Sequence, residues 1–211
     1  LFVSPTLARA AEPWTRAMAA SRKPFRIVAD DELAKVAGSP LHGGICAVAH
    51  PRPVYPLEPS RLAVAPLVLL LDGVGNPHNL GAIARTAAFF GVRDLILSDD
   101  PRQAAPSGAA YRTAEGGLEH LGLWRASVPA GVGALANTHR IVASVAEGGV
   151  PPARLQRDRP VVLVLGNEER GARPELLALA QDRVTIPGSG AVQSLNVSAA
   201  AAVLIAALAS G

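Results

Sequence analysis

The strongest constraint on this chain is Val68–Leu71, four apolar residues in a row that run straight into Asp72-Gly73-Val74-Gly75. An unbroken apolar run of this length suits a strand covered on both faces, and such strands belong to parallel sheets flanked by helices. Leu95–Leu97, Leu121–Trp124, Ile141–Ser144, Val161–Leu165 and Val184–Ile186 read as further short strands. Leu80–Phe90, Ala109–His120, Ala134–Thr138, Pro174–Ala180 and Asn196–Ala209 read as the helical pieces between and after them. Strand and helix alternate, so the expected fold is α/β, a parallel sheet with helices on both faces.

The chain divides into modules. Residues 1–51 form a small α/β unit: strand at Phe2-Val3, alanine-rich helix at Thr6–Ala20, strand at Phe25–Ala29, helix at Asp30–Val36 with Asp30 as N-cap, strand at Gly43–Ala49. Its first element looks shortened, and the chain opens on Leu1 rather than Met, so a preceding segment is expected. Residues 52–66 carry Pro53, Pro56, Pro59 and Pro66 and read as an extended linker. Residues 67–211 form the larger domain.

Composition narrows the function classes. An apolar share of 49% with 18% charged residues, in 211 residues, can bury a real core and argues against disorder. Cys46 is the single cysteine, so no disulfide framework exists within the chain, which fits a reducing, cytoplasmic setting. No apolar run makes a convincing membrane span; Ala199–Ala209 is too short. His42, His50, His120 and His139 show no ligand spacing, so no metal is expected, and His78 beside Asn79 reads as an exposed loop residue, not a base. A net charge of +3 permits a polyanionic partner without requiring one.

Chemistry points to three glycine-rich turns that follow strands: Asp72–Gly81, Gly166–Gly171 and Pro187–Asn196. Open α/β sheets bind ligands beyond the carboxyl ends of their strands, where glycine lets backbone approach the ligand. Neither the Walker pattern nor G-x-G-x-x-G spacing is present, which disfavours P-loop enzymes and dehydrogenases.

The stretch Asn79-Leu80-Gly81-Ala82-Ile83-Ala84-Arg85-Thr86-Ala87 resembles the first motif of the SpoU (TrmH) family of RNA 2′-O-methyltransferases, within the SPOUT superfamily. Leu165-Gly166-Asn167-Glu168-Glu169-Arg170-Gly171 resembles the second, and Ile186-Pro187 with Ser194-Leu195-Asn196-Val197-Ser198 the third. The order and spacing agree over essentially all of 66–211. Residues 1–51 resemble a shortened form of the RNA-binding domain often fused ahead of this catalytic domain, most clearly at Leu41-His42-Gly43-Gly44-Ile45. Gly188 and Ala172 depart from the family, which usually has larger apolar residues there.

The resemblance implies a C-terminal trefoil knot, a rare exception to topology rules, whose loops hold S-adenosylmethionine. It also implies a homodimer and structured RNA, transfer or ribosomal, as substrate. Gly166, Asn167, Ile186, Ser194 and Leu195 match cofactor-binding positions, and Arg85, Asn79, Glu168 and Asn196 match catalytic ones. Arg85 matches the family's general base, yet a guanidinium holds its proton at any ordinary pH. Gripping a phosphate and steadying a developing alkoxide is the alternative role. Asn79 orients Arg85 or the ribose, or else caps a helix; Glu168 anchors its loop or fixes Arg85, or starts a helix; Ser194 and Asn196 cap the last helix. Arg9, Arg16, Arg22, Lys23 and Arg26, together with Arg112, Arg170 and Arg173, offer tracks for phosphates. The helix 199–209 is apolar around most of its girth and suits a dimer interface or burial beneath the sheet. Two other readings stay open: a catalytically silent RNA-binding protein with the same fold, and an unrelated α/β enzyme using a nucleotide cofactor.

Overall fold

The computed structural model describes residues 1–209, so the last two residues of the expected 67–211 domain lie outside the described residues. The chain separates into two compact units, the first Leu1–Pro51 and the second beginning at Arg52.

In the first unit the elements run β1 (Phe2–Val3), α1 (Glu12–Ala20), β2 (Arg26–Ile27), α2 (Asp30–Ala37) and β3 (Ile45–Cys46). The central β1 pairs in parallel with β2 and antiparallel with β3. Two expectations need correction. The span Thr6–Ala20 is not one helix: a 3-10 turn covers Pro5–Leu7, and α1 starts only at Glu12, which puts Pro13 in the first turn where its missing N–H costs nothing. Asp30 is the first helical residue, with Ala29 at the N-cap, so its carboxylate faces the helix dipole instead of capping it.

The second unit runs β4 (Tyr55–Pro56), α3 (Pro59–Leu62), β5 (Leu67–Asp72), α4 (Pro77–Phe89), β6 (Asp94–Ser98), α5 (Gly108–Ala114), β7 (Gly122–Ala126), α6 (Ala130–Gly133), β8 (Arg140–Ser144), β9 (Val161–Gly166), α7 (Pro174–Leu179), β10 (Asp182–Val184) and α8 (Val197–Ala209). Seven strands form one sheet in the order β10-β8-β9-β5-β6-β7-β4, and every neighbouring pair is parallel. The stretch 52–66 is therefore not a bare connector. Its prolines leave room for β4, which extends the sheet edge beside β7, and for α3, whose Leu62 is buried. Edge strands tolerate Pro56 because one side needs no partner.

Burial explains the unbroken apolar runs. Leu67, Leu69 and Leu71 of β5 pack into one cluster with Leu80 and Ile83 of α4 and Leu204 and Ile205 of α8. Val68 and Leu70 pack into a second cluster on the other face with Leu62, Val132 and Leu176. β9 splits the same way, Leu163 to one face and Val164 to the other. The last strand lies at Asp182–Val184, ahead of the expected Val184–Ile186; beyond it the Thr185 amide donates to the Val150 carbonyl and not to β8. The expected Ala109–His120 helix breaks after Ala114, where Glu115 and Gly116 take left-handed backbone.

His139, fully buried, accepts from or donates to two neighbours: Nε2 lies 3.1 Å from the Ala65 carbonyl and Nδ1 lies 2.9 Å from the Thr138 hydroxyl. A carbonyl only accepts, so Nε2 carries a hydrogen. Burial pushes its pKa below the ordinary histidine value, against the pull of the Ala65 carbonyl. Among the described residues no helix is long and apolar enough to cross a membrane, and no three His, Cys, Asp or Glu side chains are grouped to hold a metal.

Two stability outcomes follow. Leu69→Ala, in a strand with both faces covered, lowers unfolding free energy by about 2–5 kcal/mol in urea titration. Because the folded pKa of His139 is depressed, the unfolded chain takes up the extra proton. Stability therefore falls as pH drops below about 6.5, and His139→Gln flattens that slope between pH 7 and 5; an unchanged slope refutes the assignment.

Candidate active site

The parallel strands β5 and β9 lie side by side and end together, with Asp72 registered against Gly166. The chain order around the sheet changes direction at this pair, where ligand crevices form in open α/β sheets. The turns that follow are tied across the gap: Asn167 Nδ2 donates to the Gly73 carbonyl at 2.8 Å. The Asn167 Oδ1 accepts from the Glu169 and Arg170 amides, at 3.0 and 3.2 Å, and its backbone pairs with Gly171 in both directions. This closed turn explains Gly166. A Cβ there would sit 2.1 Å from the Ala172 nitrogen and 2.2 Å from the Gly171 carbonyl carbon, so the missing side chain makes room for the loop's own backbone.

α4 begins at the same end of the sheet. Asn76 is its N-cap, accepting from the His78 amide at 2.9 Å behind Pro77, so Asn79 is not the cap. One turn into the helix, Asn79 is freed for another task. Its Nδ2 donates to Glu168 Oε1 at 2.6 Å, and its Oδ1 accepts from Asn196 Nδ2 at 3.3 Å. Asn196 in turn caps α8, its Oδ1 accepting from the Ser198 amide at 2.8 Å and the Ser198 hydroxyl at 2.6 Å. The cap is thus made by Asn196 and not by Ser194. All three glycine-rich turns meet through these side chains.

They border an open cleft of about 530 Å³ whose lining includes Asn79, Asn167, Glu168, Asn196, Arg102 and Arg170. Five residues singled out in the sequence, Asn79, Asn167, Glu168, Arg170 and Asn196, are together here. Arg85 is not in the lining. It stands six residues beyond Asn79 on α4, about 9 Å along the axis, and its Nη1 pairs with Glu115 Oε1 at 2.8 Å. Glu168 therefore fixes Asn79, not Arg85, and it sits in a tight turn, not at a helix start. Ile186 is partly buried against the core, while Ser194 and Leu195 are exposed on the segment leading to Asn196. Of the arginines expected near the site, Arg112 is exposed on α5 and Arg173 is drawn into a structural pair.

That pair and one neighbour are the charges at the sheet end. Asp72 is buried; its two oxygens accept from the Arg173 amide and Nε, both at 2.8 Å, and Arg173 also reaches Asp99 at 2.9 Å. Burial works against the charge on Arg173, but the bonds to Asp72 and Asp99 outweigh it and hold the guanidinium protonated. Arg102, which sequence reasoning missed, is gripped by Asp100 through two parallel bonds of 3.0 and 2.7 Å. Those bonds hold the Asp100 carboxyl down at about 2. The acidic pair Asp99-Asp100 at the end of β6, followed by Arg102, was the available signal.

The family model described as the SpoU rRNA Methylase family matches residues 66–206. A protein of Escherichia coli O157:H7 named "Uncharacterized tRNA/rRNA methyltransferase YfiF" is 35% identical over 201 residues, covering 90% of this chain. The chain spans 56% of that relative's length. The "23S rRNA (guanosine-2'-O-)-methyltransferase RlmB" of Acinetobacter baylyi is 36% identical over 182 residues, 81% of this chain and 72% of that protein. Among solved structures, the SpoU methyltransferase AviRb from Streptomyces viridochromogenes in complex with AdoMet superposes with a TM-score of 0.82, covering 99% of this chain and 81% of its own; at 24% identity the likeness is one of fold. The A. aeolicus TrmH/SpoU tRNA modifying enzyme gives a TM-score of 0.62 at 26% identity, over 72% of this chain and 81% of that one.

The sheet end depends on Asp72. Replacing it, as in Asp72→Ala, leaves Arg173 partly buried and facing only Asp99. Unfolding free energy falls by about 1–3 kcal/mol, read by chemical denaturation, whereas a change under 0.5 kcal/mol would mean the pair is slack.

Proposed function

This chain belongs to the SpoU rRNA methylase family, and on that premise we propose that it transfers a methyl group from S-adenosylmethionine to a ribose 2′-hydroxyl of structured RNA, ribosomal or transfer. The observation that carries this reading is the junction of three turns through Asn79, Glu168 and Asn196 at the carboxyl end of the sheet. A catalytically silent RNA-binding role has no such observation in its favour, and an unrelated nucleotide enzyme is set aside by the family match.

The chain's own groups suit the cofactor. Leu195 is 48% exposed and Val192 72% exposed on the segment before α8, and Ile186 lies at its start, so apolar side chains stand in water ready to cover an adenine. Polar partners come from the closed turn at Asn167. We assign Gly166, Asn167, Ile186, Ser194 and Leu195 to holding S-adenosylmethionine, which when bound supplies an electrophilic methyl group. Glu168 and Asn79 orient the ribose, and Asn196 keeps the Asn79 carboxamide turned one way. Arg85, always charged, grips a neighbouring RNA phosphate and steadies the oxygen as it takes the methyl from sulfur and its proton passes to that phosphate or to water.

Further parts of the proposal rest on resemblance and on particular features. The C-terminal segment from β9 to α8 threads as a trefoil knot. The unit 1–51 binds RNA: Arg9, Arg16, Arg22, Lys23 and Arg26 are exposed there, with Trp14 58% and Phe25 40% exposed to stack on bases. α8 bears no charge and leaves Val203 44% exposed, which suits a homodimer contact. The setting is the cytoplasm.

Arg85→Ala keeps S-adenosylmethionine affinity within about threefold in calorimetry, because its side chain lies outside the cleft, yet removes nearly all methyl transfer to RNA. Loss of cofactor binding in step with activity would give Arg85 a different role. No binding of S-adenosylmethionine by the folded parent would sink the activity itself.

A further inference from the structure

We infer that Glu115 is a positioning residue for Arg85, holding the guanidinium in place for the RNA phosphate. This rests on the role of Arg85 given above.

Three observations at one turn converge. First, Glu115 Oε1 lies 2.8 Å from Arg85 Nη1. Second, Glu115 ends α5 in left-handed backbone, with φ of 44°, and Gly116 follows at φ of 90°. A helix end of this kind is the place where glycine costs least, and a glutamate there carries steric strain. Third, Gly117 lies directly against the backbone of α4 at Arg85. A Cβ on Gly117 would sit 2.7 Å from the Arg85 Cα and 2.9 Å from its nitrogen. The turn is thus seated on the α4 backbone at Ala84 and Arg85, the second of which its glutamate engages.

The ion pair does not earn its place through stability. The two side chains are 57% and 62% exposed, and pairs so exposed add little. A strained, non-glycine residue kept where glycine would do better, making a contact of small stabilising value, is the pattern of a functional position. The chemistry agrees. Arg85 offers five N–H donors in a rigid fork. The Glu115 carboxylate takes one donor at Nη1 and limits the swing of a long side chain, while the remaining donors stay available to a phosphate oxygen. Orientation fixed in advance lowers the cost of reaching the reactive geometry.

The test compares Glu115→Gln, Glu115→Gly, Glu115→Asp and Arg85→Ala in the full chain. Transfer is measured from radiolabelled S-adenosylmethionine into total RNA taken from cells lacking the gene, alongside melting temperatures. We expect Glu115→Gln and Glu115→Gly to lower kcat by on the order of 10- to 100-fold, with KM for S-adenosylmethionine unchanged. Glu115→Asp recovers part of the loss. Glu115→Gly melts at the same temperature or about 2 °C higher, since it relieves the backbone. If both the Gln and Gly variants stay within twofold of the parent while Arg85→Ala is inactive, the inference fails and the role of Arg85 survives. If Glu115→Gly loses activity together with stability while Glu115→Gln is normal, the residue is only structural and the inference fails. If Arg85→Ala is active, the reading of Arg85 fails first and takes this one with it.

Discussion

The site depends on the direction of one carboxamide. Asn79 donates through Nδ2 to the Glu168 carboxylate, which can only accept. Its oxygen must therefore receive, and it receives from Asn196, whose own oxygen is already committed to the amide and hydroxyl of Ser198. Every donor in the chain points the same way, from the start of α8 through α4 to a negative charge on the loop after β9. Aligned hydrogen bonds of this kind reinforce one another. A flipped amide at either asparagine would face donor against donor or acceptor against acceptor. Three segments far apart in sequence are thus locked into one register without a metal ligand or a disulfide among the described residues.

That lock works only because the sheet beneath it is rigid. β5 and β9 are buried on both faces, so their carboxyl ends are fixed relative to each other before any loop forms. Asp72, the last residue of β5, is the point where the apolar strand turns into polar chemistry. Its carboxylate is turned back into the fold to hold Arg173, and the loop after it is left to present Gly73 to Asn167. Positioning a charge pair directly under the turns costs desolvation, which the bonds from Arg173 offset.

The sequence made the larger unit legible because a strand covered on two faces leaves an unmistakable apolar run, and because the three turns carry glycine and asparagine at strand ends. Asn79, Asn167, Glu168 and Asn196 could be found that way, and they meet in one cleft. Their partners could not. A carboxamide at a helix start reads as a cap, and only the coordinates show Asn76 taking that role and releasing Asn79. β4 was hidden by the prolines around it, since an edge strand of two residues leaves no periodic signal. The break in α5 was hidden for the opposite reason: Glu115 is a good helix former, and nothing in its identity predicts left-handed backbone.

The separation of Arg85 from the cleft has a mechanistic consequence. The guanidinium of Arg85 takes Glu115 as its carboxylate partner and leaves Glu168 to Asn79. Standing about two turns farther along α4, it shares the helix that carries Asn79, so the distance between the two is set by a rigid rod and not by a loop. If Arg85 grips the phosphate as proposed, the substrate spans from the cleft to Arg85, and a ribose with its adjoining phosphate has polar groups at both ends to do so. An isolated nucleoside has a hydroxyl for one end and nothing for the other. On the proposed roles, a site divided in this way would select for a phosphodiester chain before it reads any base.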